Sequence, residues 1–445
     1  MASETAVAAG VLARNAIDAR ILAAMTGRQG SGAMNTKIEQ AREVALGILK
    51  PSQRDLEYGL GLHREAVVID GYGFSPRAAI DGEALRALVE EGASEAEITD
   101  SIEEMTMTRA ATDPVQREEY LAAWNAAGVT CIVQNAGEEG QSPQRLLKRL
   151  ARFTYTTDCL RGTVSRAAFP DDILRTKEAG AHCLYFTGNG VPLAQEWVSP
   201  EEELRFVRLF FQLGIRMMHL TYNRRNMIGD GCAERANGGL SDFGHAVIAE
   251  MNRVGVIVDV AHSGWQTSLE AAKASRVPMV ASHSGCCAVN THIRCKPDEV
   301  IRAIVETGGY IGICWVPAFL GGSGDISALL DHVEYVARTF GADYVALGSD
   351  TAYTAAAYED EWKKVPPRRR SRPRWEGFWP KDDPLFDSTW HQPHQVQSLA
   401  WTNWPLITVG LVQRGFSDEE IRKILGGNVL RVARAVLDAA GVATS

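Results

Sequence analysis

The chain is 445 residues long, 45% apolar and 23% charged, which fits a soluble globular protein built as one large α/β barrel with extensions or as two to three ordinary domains. A net charge of −9 argues against nucleic acid as a partner, and the densest basic run, RRRSRPR at 368–374, sits in a Pro- and Trp-rich stretch and reads as a solvated loop. No run of 18 apolar residues is present to span a membrane, and the N-terminus lacks the charged start and apolar core of a secretory signal.

Residues 1–34 are Ala-rich, with Gly27, Gly30 and Gly32 near their end, and read as an exposed amphipathic helix or a disordered arm. Residues 36–60 carry apolar side chains at helical spacing, so 1–65 is expected to be a helical extension, suited to packing in a homo-oligomer. The first strand is AVVID, 66–70, followed by an acidic, partly helical insertion at 71–115 and a helix that ends at Gly128. Strands VTCIVQN, AHCLYFT (181–187), IRMMHLT (215–221), VIVDV, VPMVAS, YIGICWV and DYVALGSD then alternate with helical spacers. Eight strands with such spacers favour parallel pairing, and the fold class expected is α/β, a (β/α)8 TIM barrel over 66–440. After Asp350 the pattern breaks. Residues 352–400 are irregular and rich in Trp, Pro and charge, and because they leave strand eight they are expected to cover the barrel mouth as a lid. Ser417 with Glu420 three residues on marks the start of the closing helices.

The chemistry is concentrated at 255–284. Two apolar β-branched runs each end at once in an imidazole, VIVDVA before His262 and VPMVAS before His283, with one helix length between them. In a (β/α)8 barrel the strand C-termini converge on one pocket, and two imidazoles there can share a divalent ion. Asp350 stands at the equivalent end of strand eight. Asp259, an acid inside strand five, is read as a group that holds an imidazole in its tautomer. His219 is read as structural, because alternation turns it away from Tyr222. Asp230 and Glu234 are either loop solvation or contacts to a substrate amine. His391 and His394 are three apart, but Pro393 between them argues against a helix and a ligand role. Cys131, Cys183 and Cys314 fall in strands, and adjacent Cys286 and Cys287 suit no zinc-finger spacing, so free thiols in a reducing cytoplasm are expected.

GIRMMHLTYN, GLSDFGHAVIAEMNRVGVIVDVAHSG, MVASHS, VNTHIRCKPDEVI, VALGSD and GGNVLRVARAVL together resemble the membrane dipeptidase family of the amidohydrolase superfamily, over roughly 180–350 and 415–437. The resemblance implies a (β/α)8 barrel with a two-zinc site that hydrolyses dipeptides. It implies that His262 and His283 are metal ligands, that Asp350 is a ligand able to serve as acid/base, and that Arg294 grips the substrate carboxylate. The chain departs from the pattern elsewhere. Tyr72 and Phe74 stand where the resemblance implies a His-x-Asp pair, Thr187 where it implies a bridging glutamate, and Tyr222 where it implies a substrate-contacting histidine. Three of six implied ligands remain, so one zinc or other divalent ion is expected rather than two. The leading expectation is a metal-dependent hydrolase acting on an amide- or peptide-like small carboxylate, with Asp350 completing the site or serving as base and Tyr72 or Tyr222 stabilising the oxyanion. The alternatives are a single-metal decarboxylase or carbon–carbon lyase on the same scaffold, or a non-catalytic homologue.

Overall fold

A computed structural model describes residues 36–137, 142–196, 198–368 and 372–442. The arm expected over 1–34 lies outside the described residues. The barrel strands are β1 (Ile69–Gly73), β2 (Cys131–Asn135), β3 (His182–Gly188), β4 (Ile215–His219), β5 (Ile257–Asp259), β6 (Val280–Cys286), β7 (Tyr310–Ile313) and β8 (Val345–Leu347). They pair in parallel in that order, each with the next. This is the expected (β/α)8 barrel. Two short strands went unforeseen: Val164–Ala167 pairs with β3, and Cys295–Lys296 pairs with β6.

The strands are short and almost wholly buried because both faces are covered. Alternate residues divide between two cores. Cys131, Val133, Cys183, Tyr185, Met217, Ile257, Val280 and Ala346 fill the barrel. Ile132, Leu184, Phe186, Met218, Val258, Ala281 and Leu347 face the surrounding helices. The closing helix Asn428–Ala439 sends Val429, Val432, Ala433 and Val436 into the inner core. The short helix before it, Asp418–Arg422, is entered through the Ser417 capping box, in which Ser417 Oγ accepts from Glu420 N and Glu420 Oε2 accepts from Ser417 N at 2.8 Å.

The seam between β1 and β8 closes through a side chain instead of a regular ladder. Asp70, fully buried, accepts from Ser349 N (2.8 Å), Ser349 Oγ (2.5 Å) and Trp401 Nε1 (3.0 Å). Asp350 N donates to Tyr72 O at 3.0 Å just beyond. Gly73 is required here, since a Cβ at that position would stand 2.2 Å from Asp70 Oδ2.

Helices Thr36–Leu49 and Gln53–Glu65 precede the barrel. The second is pinned by His63, which is buried between Thr408 Oγ1 (Nδ1, 2.8 Å) and Ala127 O (Nε2, 2.9 Å). Burial pushes this imidazole down to about 4. The unfolded chain therefore binds the proton more readily between its own value near 6.5 and about 4. Stability from keeping His63 neutral is present above pH 6.5 and is lost as pH falls through 4, up to about 3 kcal/mol. Urea midpoints at pH 7 and 4.5 should diverge more for the wild type than for His63→Gln; equal divergence would remove this account.

Candidate functional site

Three strands, β4 to β6, deliver four polar side chains to one buried cluster at the C-terminal mouth. His219 and Asp259 are the last residues of β4 and β5, each two positions beyond an inner-core residue, Met217 and Ile257. Alternation therefore carries both into the barrel. His262 follows β5, and His283 lies in β6 beyond a register shift between Ala281 and Ser284. All four are buried.

His262 and His283 meet as the strand-end pattern anticipates, with Nε2 atoms 3.0 Å apart. Their other nitrogens are held from behind: His262 Nδ1 by Asn223 Oδ1 at 2.7 Å and His283 Nδ1 by Ser282 Oγ at 2.8 Å. Aromatic rings wall the pair on both sides. Tyr72 stacks on His283 at a centroid distance of 3.8 Å and 8°, and Tyr222 stacks on His262 at 4.2 Å and 29°. Burial, with Arg294 next, holds both imidazoles well below their ordinary value. They are neutral, the form that binds a metal.

The third imidazole is His219, whose Nε2 stands 2.8 Å from Asp259 Oδ2. The imidazole that Asp259 faces is therefore that of His219, at ion-pair distance. Asp259 Oδ1 accepts from Ala261 N (2.9 Å) and Ser282 N (3.0 Å). Burial alone would raise the Asp259 carboxyl; His219 beside it and the Ser282 donors outweigh burial and keep it below the usual range. His219 is thus at the centre of the cluster, not a bystander. The opposite expectation counted alternation through Tyr222, whereas β4 ends at His219 and the pleat does not continue.

Other expected site residues lie differently. Among the described residues, the group of three or more His, Cys, Asp or Glu ligand atoms within 4.8 Å of one another is His219, Asp259 and His283; neither His262 nor Asp350 is a member, although His262 Nε2 stands 3.0 Å from His283 Nε2. Asp350 is half-buried with φ 53°, a left-handed conformation that turns it out of the strand direction. Arg294 is fully buried with its guanidinium turned onto main-chain oxygens, NH1 to Ala261 O and NH2 to His283 O (2.9 Å). Two of its guanidinium nitrogens thus tie the segment after β5 to β6. Lys296 donates to Val260 O (2.8 Å) and Ser263 O (2.7 Å), and burial lowers it to about 8. Phe74 and Thr187 offer no ligand: Thr187 Oγ1 donates to Met217 O at 3.0 Å. Asp230 and Glu234 are used within their loop, Asp230 by Arg225 (2.5 and 3.0 Å) and Gly238 N, and Glu234 by Arg225 N. His391 and His394 are exposed, and a helix does form there, Pro393–Ser398, because proline suits a first helical position.

The segment after β8 is seated on this mouth. Trp379 Nε1 donates to the Tyr222 hydroxyl at 3.3 Å, Phe378 meets the Tyr222 ring at 5.6 Å, and Asp383 Oδ1 lies 3.3 Å from His292 Nε2.

The donor set fits one divalent ion. With His262 Nδ1–H given to Asn223, its Nε2 carries a lone pair; the facing Nε2 of His283 either protonates to satisfy it or joins it on a cation. Two imidazoles on one tetrahedral zinc stand about 3.3 Å apart at nitrogen, close to the spacing seen. Both ring nitrogens of His219 and Oδ2 of Asp259 are buried with no hydrogen bond of acceptable geometry, the condition of atoms built for a ligand.

A parallel eight-stranded barrel with imidazoles and a carboxylate gathered at its C-terminal mouth has the architecture of a metal-binding (β/α)8 site. The sequence pattern of the Membrane dipeptidase family (Peptidase family M19) matches residues 62–366, and the chain belongs to that family. It is 30% identical over 240 residues to Dipeptidase tcpJ of Claviceps purpurea, covering 53% of this chain and 48% of that one. It is 29% identical over 232 residues to Dipeptidase aclJ of Aspergillus oryzae, covering 51% and 46%. The chain thus spans about half the length of the curated relatives it matches. Among solved structures, an amidohydrolase from Pseudomonas aeruginosa superposes with TM-score 0.61 at 25% identity, covering 85% of this chain and 98% of that one. A metallo peptidase from Rhodobacter sphaeroides, liganded with a phosphinate mimic of L-Ala-D-Ala, shares the fold with TM-score 0.57 at 16% identity, covering 84% and 100%. No described helix is long and apolar enough to cross a membrane.

Proposed function

We propose that this chain is a metal-dependent hydrolase that cleaves an amide- or peptide-like bond in a small carboxylate-bearing substrate, using one zinc or similar ion. The observation that carries this reading is the neutral, back-supported imidazole pair, His262 and His283, with Nε2 atoms 3.0 Å apart at the barrel mouth. A divalent ion bound there supplies Lewis acidity and a water of lowered pKa.

The chain's own residues supply the remainder. Asn223 and Ser282 hold the imidazoles in register, so that no reorganisation is needed during turnover. Asp350, at the end of β8, serves as the proton acceptor and donor. Tyr72 and Tyr222, fixed by stacking, face charge that develops on the scissile carbonyl. Arg294 and Lys296 form no ion pair with any described carboxylate, and their combined potential draws an anionic substrate inward. The segment around Trp379 acts as the lid that excludes water.

Product analysis tests the reading. Zinc-reconstituted protein incubated with dipeptides, including ones with a D-residue at the C-terminal side, is expected to release two amino acids whose masses sum to substrate plus one water. Release of carbon dioxide or an aldehyde from a related acid would replace hydrolysis by lyase chemistry. A metal-loaded protein inert toward both classes would leave only a binding role.

A further inference from the structure

We propose that the ion in this chain is held on the β4–β6 side of the mouth, with His219 and Asp259 as ligands beside His283 and His262, and with Asp350 outside the coordination sphere. This deepens the metal-dependent reading above and rests on it.

Four observations converge. The rings of His219, His262 and His283 form a near-equilateral triangle, with centroids 5.4, 5.3 and 4.9 Å apart and planes inclined by 85°, 78° and 61°. Three imidazoles so arranged surround a point instead of stacking on one another. Second, His219, Asp259 and His283 present ligand atoms within 4.8 Å of one another, while His262 Nε2 stands 3.0 Å from His283 Nε2. Third, the atoms that would ligate are those left without hydrogen bonds. Asp259 spends Oδ1 on two backbone N–H groups, while its Oδ2 and both nitrogens of fully buried His219 make no hydrogen bond of acceptable geometry, Nε2 and Oδ2 meeting only as an ion pair. His219 Nε2 and Asp259 Oδ2 approach to 2.8 Å without the alignment of a hydrogen bond, as two donors to one cation do. Fourth, charge must balance. An ion here joins Arg294 and Lys296, both buried with no carboxylate partner among the described residues, and Asp259 is the acid in the cluster that offsets them.

The opposite side of the mouth is closed to this role. The Tyr72 ring lies flat on His283 at 3.8 Å, where a ligand from β1 would reach. Phe74 has no donor atom, and the Thr187 hydroxyl is bonded to Met217 O.

Metal binding, not turnover, tests this. Chelator-stripped wild type, His219→Ala and Asp350→Ala are titrated with Zn2+ against a chromophoric chelator, and loaded with Co2+ for visible absorption. Circular dichroism of each metal-free protein establishes that it is folded, and His219→Gln replaces His219→Ala if the latter is not. The wild type is expected to take up one equivalent. His219→Ala should weaken zinc at least about 100-fold and alter the cobalt spectrum, as loss of one of four ligands requires. Asp350→Ala should hold zinc within about threefold of wild type with the spectrum unchanged, because a residue outside the ligand sphere contributes no bond energy. Loss of metal in Asp350→Ala, or full retention in a folded His219 variant, overturns the proposal. A wild type that binds no divalent ion defeats the underlying metal-dependent reading instead.

Discussion

His283→Ala is expected to abolish activity and strip the protein of its ion. Among the candidate ligands His283 is common to every arrangement: it faces His262 Nε2, and it belongs to the group with His219 and Asp259. A structural zinc site contributes about 10–16 kcal/mol over four ligands, so one lost ligand weakens binding roughly 10²–10³-fold. The imidazole is fully buried and stacked under Tyr72, so alanine also opens a small cavity, at about 2 kcal/mol in stability. That cost is tolerable, and the variant should remain folded by circular dichroism. Elemental analysis beside the wild type checks the prediction. A folded His283→Ala that retains a full equivalent of metal would show that the imidazole pair is not the binding element.

The largest loss of stability is expected at Asp70→Ala. Three buried donors, Ser349 N, Ser349 Oγ and Trp401 Nε1, converge on this carboxyl. Removing it leaves all three without an acceptor, each costing about 1–3 kcal/mol, for a total of roughly 3–9 kcal/mol. The effect extends to the site, because the same contacts hold β1 to β8 and thereby place Tyr72 and Asp350. Burial raises the Asp70 carboxyl to about 7. Ionisation is therefore already partly suppressed near neutral pH, and Asp70→Asn, which keeps one oxygen acceptor, should cost clearly less than Asp70→Ala. Urea unfolding of the two variants checks both statements. A shift below about 1 kcal/mol for Asp70→Ala would mean that the seam closes by other means.

The parts of the site legible in the sequence share one property: a local signal aligned with the strand direction. An imidazole placed directly after a β-branched run points to the barrel mouth whatever surrounds it, and His262 and His283 do so. His219 carried the same signal, two positions after an inner-facing Met217, but the reading extended alternation past the end of β4. The Ser417 capping box was equally local. Arg294 shows the contrary case. Its family resemblance implies a substrate contact, yet a guanidinium's role depends on which acceptors lie within reach. Here those are the carbonyls of Ala261 and His283, which only the fold brings beside it.

By itself the sequence determined the eight-strand barrel, its order and the neighbourhood of two histidines. Those follow from periodicity and turn chemistry within segments of a dozen residues. Only the tertiary structure decided that Asp259 faces His219, that Asp70 closes the seam through Ser349 and Trp401, and that Trp379 rests on Tyr222. Each of these is a contact across tens to hundreds of residues, set by how strands curve and where a chain leaves its pleat, and no window of sequence contains both partners.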